Sequence, residues 1–165
     1  MNTQQLELGN TITLESPSQQ NQNQETIGQK SIKKILKKYK HSFGTLSGAY
    51  ILRFDKDPDI IKIGKGKFIE ARIESYLTHY PRDIRVLACI KAESDVYGQL
   101  ERDLHQLFYK YRYEREWFHA TKPVLEAIDF IVKEIDFMPY TLKSNGQWVY
   151  DDPDYVRRMV YETIN

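Results

Sequence analysis

Gly48-Ala49-Tyr50-Ile51-Leu52-Arg53-Phe54, followed by Asp55-Lys56-Asp57-Pro58-Asp59 and then by Ile60-Ile61-Lys62-Ile63-Gly64, is the stretch that decides the fold. In the first run Tyr50, Leu52 and Phe54 alternate with Ala49, Ile51 and Arg53, the period of a strand with one side better buried than the other. Turn formers follow, and a second apolar run returns, which predicts a β-hairpin with a longer than minimal loop. Lys62 stands in the middle of the return strand, where its ammonium must reach water or an anion. A snorkelling edge lysine and an anion-binding lysine both meet that need.

Composition narrows the remaining possibilities. With 165 residues and 41% apolar composition, the chain holds one ordinary domain and an appendage, not two full cores. Lys and Arg (24) nearly balance Asp and Glu (23), so the position of the charges matters more than the net +1. The single cysteine, Cys89, falls within Val86-Leu87-Ala88-Cys89-Ile90 as a buried strand residue, which excludes a disulfide framework and a thiolate zinc site. No apolar run reaches transmembrane length, and the N-terminus is polar where a secretory leader is basic and then apolar. The expectation is an intracellular protein without membrane contact, in cytoplasm or nucleoid, or in the host cell if viral. Nothing in the patterning fixes an oligomeric state.

Outward from the hairpin, residues 1–29 are rich in Gln, Asn, Thr and Ser and are expected to be disordered. Residues 30–44 predict a basic amphipathic helix. Ile32, Ile35, Leu36 and Tyr39 lie at helical spacing, and Ser31 is available as a cap. Lys33, Lys34, Lys37 and Lys38 cover the rest of that helix, facing either phosphate backbones or solvent. On the other side, Phe68 or Ile69, Ile73, and Tyr76 or Leu77 form the stripe of a helix that ends before Pro81, with Arg72 and Tyr76 one turn apart. Arg82 to Ala92 is a strand covered on both faces. A helix capped by Ser94 or Asp95 runs to about Tyr111 with Val96, Leu100, Leu104 and Leu107 inward, and carries Glu101 and His105 on its flank.

Glu116-Trp117-Phe118-His119 is a turn or short strand, and Val124, Ile128, Ile131 and Ile135 mark a helix opened by Thr121 and Pro123. Ser144-Asn145-Gly146 is a turn, Gln147 to Tyr150 a short strand, and Val156, Met159 and Val160 belong to a last helix. The expected architecture is α/β, a small three-stranded antiparallel or mixed sheet flanked by helices in the order β-β-α-β-α. Residues 45–121 form the central domain, with 122–165 a C-terminal helix and tail packing on it.

Gly48-Ala49-Tyr50, Lys62-Ile63-Gly64, Arg72, Glu101 and Glu116-Trp117-Phe118, in that order and on those elements, resemble the GIY-YIG nuclease superfamily, in its phage and large-virus branch. The resemblance implies a metal-dependent DNA endonuclease leaving 5′-phosphate and 3′-hydroxyl ends. Tyr50 would help activate water, Arg72 would contact the phosphate, and Glu101 would carry one Mg²⁺ or Mn²⁺ among waters and phosphate oxygens. Lys65 and Tyr76 match positions that support phosphate contact. Lys62 replaces the usual tyrosine, as an ammonium able to bind phosphate or to lower the pKa of Tyr50. His105 is a second metal ligand, a proton shuttle or a hydrogen-bonded helix residue. For Arg72 the alternative is an ion pair with Glu101. The competing function is a DNA-binding or regulatory module that kept the fold without useful turnover.

Overall fold

The computed structural model describes residues 26–40, 44–79 and 81–164. Most of the polar 1–29 segment, and with it the expectation of disorder there, lies outside the described residues, as does His41.

The hairpin forms as its pattern predicts. β1 (Gly48–Phe54) and β2 (Ile60–Gly66) pair antiparallel, with Tyr50 opposite Gly64 and Leu52 opposite Lys62. Both sides of β1 are buried, not one, because β3 (Ile84–Lys91) pairs along its other edge and helices cover both faces. A register shift between Ile51 and Leu52 marks a bulge in the β1–β3 ladder.

The expected three-stranded sheet is corrected to seven strands, all of whose pairings are antiparallel, in the order β4-β5-β2-β1-β3-β6-β7. The additional strands are short: β4 (Arg112–Glu114), β5 (Trp117–His119), β6 (Tyr140–Leu142) and β7 (Trp148–Tyr150). β7 falls within the strand expected at Gln147 to Tyr150 and β5 within the expected turn or strand Glu116 to His119, whereas three residues give too little alternation to announce β4 or β6. The edges of β2 and β3 hold β5 and β6, on which β4 and β7 pair in turn.

The two faces carry different helices. α2 (Ile69–His79) sends Ile69 and Ile73 onto Tyr50, Leu52, Phe54 and Val86. The opposite face, with Ala49, Ile51, Ile61, Ile63 and Ile90, meets Leu100 and Leu104 of α3 (Tyr97–Leu107) and Val124, Ile128 and Ile131 of α4 (Lys122–Glu134). Ile32 and Tyr39 of α1 (Gln29–Tyr39) and Val156 and Met159 of α5 (Tyr155–Ile164) complete this larger core.

Several helix limits differ from expectation. α1 starts after Gly28 and not at Ser31, because the Ile32 N–H already reaches the Gly28 carbonyl. α3 begins after Val96, which is exposed and not inward, and neither Ser94 nor Asp95 is its N-cap. It stops at Leu107, and a 3₁₀ turn, Tyr109–Tyr111, leads into β4. Ile69, not Phe68, anchors α2, since Phe68 is exposed.

Candidate active site

The site forms around β2, because β5 pairs with that strand only over Ile60, Ile61 and Lys62. One further backbone bond, Ile63 N–H to the Glu116 carbonyl (2.9 Å), closes that ladder. From Gly64 to Gly66 the ladder registers pair β2 with β1 alone, so its outer edge is open among the described residues. Backbone groups alternate along a strand, so the Lys65 N–H faces the same open side as that of Ile63.

Glycine makes room on the α2 face. Tyr50, 1% exposed, lies across its partner Gly64: a Cβ there would stand 2.6 Å from the Tyr50 Cζ and hydroxyl. A Cβ on Gly66 would approach the Arg72 Cβ to 3.1 Å, so this glycine lets α2 sit close to the strand end. At Gly48 a Cβ would collide with the Ile90 carbonyl oxygen at 2.2 Å, which fixes β1 tightly against β3.

The Tyr50 and Tyr76 hydroxyls share a hydrogen bond of 2.8 Å. Burial, and then that bond, push the Tyr50 phenol far above its ordinary range, and Arg72 pulls it back only in part. The neighbourhood therefore does not produce the lowered Tyr50 pKa anticipated from Lys62. Tyr76 is flanked by cations, with the Arg72 guanidinium 5.4 Å from its ring centre and Lys62 Nζ also 5.4 Å away. Arg72 is exposed and has no carboxylate partner among the described residues, so the alternative pairing with Glu101 does not occur. Its guanidinium is held even more firmly in the charged form, first by Tyr76 and then by Tyr50.

Lys62 is more engaged than its sequence context indicated. Its ammonium binds Glu116 Oε2 at 2.8 Å and stands 5.1 Å from the Trp117 ring centre. No pattern in the sequence pairs Glu116 with Lys62, since only the β2–β5 register brings them together.

From the other face, α3 brings Glu101 to the same strand. Its side chain is largely buried, Oε1 lies 3.9 Å from Lys65 Nζ, and Oε2 has no hydrogen-bond partner among the described residues. Burial raises its pKa, His105 and Lys65 oppose that rise, and smaller influences come from Glu116 and Lys62. One turn on, His105 Nε2–H donates to the Ile63 carbonyl (2.9 Å), because a carbonyl only accepts; the ring also packs on Phe118. That bond leaves Nδ1 as its remaining nitrogen. Lys33, Lys34, Lys37 and Lys38 lie exposed on α1, which packs over α3 and α4. Lys38 binds Asp103 at 3.1 Å, and Lys33 stands over Phe130.

The model of the T5orf172 domain matches residues 47–136, from the start of β1 through α4. The chain belongs to the T5orf172 domain family. This corrects the expected family: the T5orf172 domain is distinct from GIY-YIG, and no GIY-YIG model matches. Three-residue signatures such as Gly48-Ala49-Tyr50 and Lys62-Ile63-Gly64 carry too little information to separate families that use a similar strand pair. The T5orf172 domain is nuclease-like and DNA-binding, so the coarser part of the functional expectation, a nucleic-acid protein, stands. No curated protein and no solved structure matches the chain. No described helix is long and apolar enough to cross a membrane.

Proposed function

We propose that the T5orf172 domain of this chain is a divalent-metal-dependent DNA endonuclease. Water attacks phosphorus at the open edge of β2, and the 3′ oxygen departs, leaving 5′-phosphate and 3′-hydroxyl ends. The observation that carries this reading is Glu101 Oε2, a buried carboxylate oxygen without a hydrogen-bond partner among the described residues, beside a strand edge that they also leave unpaired. An ionised oxygen in that position needs a cation.

The donor set fits Mg²⁺ or Mn²⁺ in one form only. Among the described residues no group of three His, Cys, Asp or Glu side chains could hold a metal, so Glu101 would be the one carboxylate, with waters and phosphate oxygens filling the shell. A bound divalent ion supplies Lewis acidity and a more acidic water. Glu101 anchors that position, and Lys65 beside it draws in the nucleic-acid backbone. Arg72, with no carboxylate to satisfy it among the described residues, is available for a non-bridging phosphate oxygen, where charge builds up in the transition state. Tyr50 stays a neutral phenol at working pH, so its hydroxyl and that of Tyr76 orient water or pass a proton by hydrogen bonding and do not act as a phenolate base.

Supercoiled plasmid and labelled duplex, incubated with Mg²⁺, Mn²⁺ or EDTA, test the reading. Wild type is expected to cut only with metal, to leave ends that a ligase rejoins, and to lose cutting in Glu101→Ala with its melting temperature retained. Wild type that binds DNA but never cuts, under any divalent ion, would identify a binding module instead.

A further inference from the structure

We infer that Lys65 and Arg102 form a two-cation cradle for a backbone phosphate of the bound nucleic acid, beside the one that reacts, and that a side-chain relay from α1 holds Arg102 in place. The inference rests on the proposed function.

The two cations converge on a glycine. A Cβ built on Gly98, in the first turn of α3, would lie 3.6 Å from Lys65 Nζ and 3.7 Å from Arg102 Nη1. Both are ordinary van der Waals distances, so the missing side chain leaves room with both charges at its edge. Like charges gathered at one point repel, and an anion between them reverses the sign. Ion pairing within the protein supplies it to one cation only, and at long range: Lys65 has Glu101 Oε1 at 3.9 Å, whereas Arg102 has no carboxylate partner among the described residues. Both cations are exposed to an incoming ligand. Their place is continuous with the candidate site, since Lys65 follows Gly64 on the open edge and Arg102 follows Glu101 on α3.

An exposed arginine is ordinarily free to wander, yet this one is tethered. Its Nη2 donates to Gln99 Oε1 at 3.0 Å. The Gln99 amide is fixed in turn because its Nε2 donates to Asp103 Oδ1 at 2.9 Å. Asp103 is held from α1 by the Tyr39 hydroxyl (2.7 Å) and by Lys38 (3.1 Å). A carboxylate only accepts and a guanidinium only donates, so the direction of every bond in the relay is determined. The result leaves Arg102 Nη1 turned to Gly98 with part of its rotamer entropy already lost, which favours binding of a phosphate.

Binding of a duplex oligonucleotide in EDTA, where no cutting occurs, followed across a salt series, tests the cradle. Arg102→Gln is expected to weaken binding and to lower the slope of log affinity against log salt by about 0.9, and Arg102→Lys to keep the slope. Gly98→Asp puts a carboxylate between the two cations in a first helical turn, where it suits the helix dipole. It is expected to lower the slope by about 1.8, two contacts, with an unchanged or higher melting temperature. Gln99→Met, which breaks the relay without changing charge, is expected to reduce affinity and keep the slope. Wild-type binding by Arg102→Gln and Gly98→Asp, in a protein that binds and cuts DNA, overturns the cradle and leaves the nuclease reading intact. Wild type that neither binds nor cuts overturns both. Gln99→Met binding as wild type removes the relay.

Discussion

The ring of Tyr50 occupies the space that any side chain on Gly64 would need, with the nearest approach to a Cβ only 2.6 Å. Tyr50 is packed among Leu52, Ile69 and Ile73 and cannot swing away cheaply. Gly64→Ala is therefore expected to cost roughly 1–3 kcal/mol by overpacking and to displace the phenol pair, lowering the melting temperature and the cleavage rate together. Tyr50→Phe separates the two effects. It keeps the packing and loses the hydroxyl's interactions with Tyr76 and Arg72, so stability should fall by about 1 kcal/mol while cleavage drops sharply. Chemical denaturation alongside single-turnover cleavage checks both variants.

Glu101 links pH to stability as well as to activity. Its folded pKa is raised above the ordinary glutamate value, chiefly by burial, so the folded state holds the proton more tightly than the unfolded chain does. Stability from this group is full below the unfolded pKa and is lost as pH rises through the folded one. Glu101→Gln removes that loss, so the variant is expected to melt higher than wild type at neutral pH and to show no metal-dependent cutting. In wild type the acidic limb of the cleavage profile should lie above the ordinary glutamate range. Melting curves and rates from pH 4 to 8 decide it, and a Gln variant that cuts at the wild-type rate removes Glu101 from the chemistry.

Lys62 and Glu116 predict opposite responses. Lys62→Met removes the ammonium beside Tyr76, and a loss of about 10²-fold in single-turnover rate is expected, with DNA affinity little changed. Glu116→Gln frees that ammonium from its 2.8 Å partner. Tighter DNA binding is expected, with the salt slope steeper by about 0.9 for one added phosphate contact. Equal rates for Lys62→Met and wild type would leave the lysine as a packing element between Tyr76 and Trp117.

The lysines of α1 divide by their partners. Lys38 is committed to Asp103, and Lys33 stands over Phe130, whereas Lys34 and Lys37 have no such contact among the described residues and are exposed. Lys34→Gln with Lys37→Gln is expected to lower the salt slope by up to about 1.8 if this face meets DNA. An unchanged slope assigns the helix to solvent.

The hairpin and the helices with strong periodicity were legible in the sequence because alternation in β1 and the 3–4 spacing in α4 repeat often enough to register. Of the four short strands, β7 was legible in Gln147 to Tyr150 and β5 as a turn or strand in Glu116 to His119, whereas β4 and β6 were not, since β4 depends on the edge of β5 and β6 on that of β3. The presence of Tyr50, Arg72 and Glu101 on successive elements was legible too. Their connections were not: the pairing of Lys62 with Glu116 follows from register, and the path from Tyr39 through Asp103 and Gln99 to Arg102 follows from the docking of α1 on α3. The glycines were visible as letters, but the need for them appears only with the neighbour each accommodates, Ile90 for Gly48 and Tyr50 for Gly64.

The β6–β7 hairpin turns through Gly146, at φ 90° with nothing within 4 Å of where its side chain would be. The loop is pinned at its base, since Ser144 N–H and Lys143 both reach Asp83. Its tip thus faces outward from the edge farthest along the sheet from β5 and β2. Extra residues there lengthen an exposed turn without entering a ladder, which makes it a splice point. A second recognition module grafted between Asn145 and Gly146 would give the cutting domain a new address on DNA while leaving its cutting edge as it is.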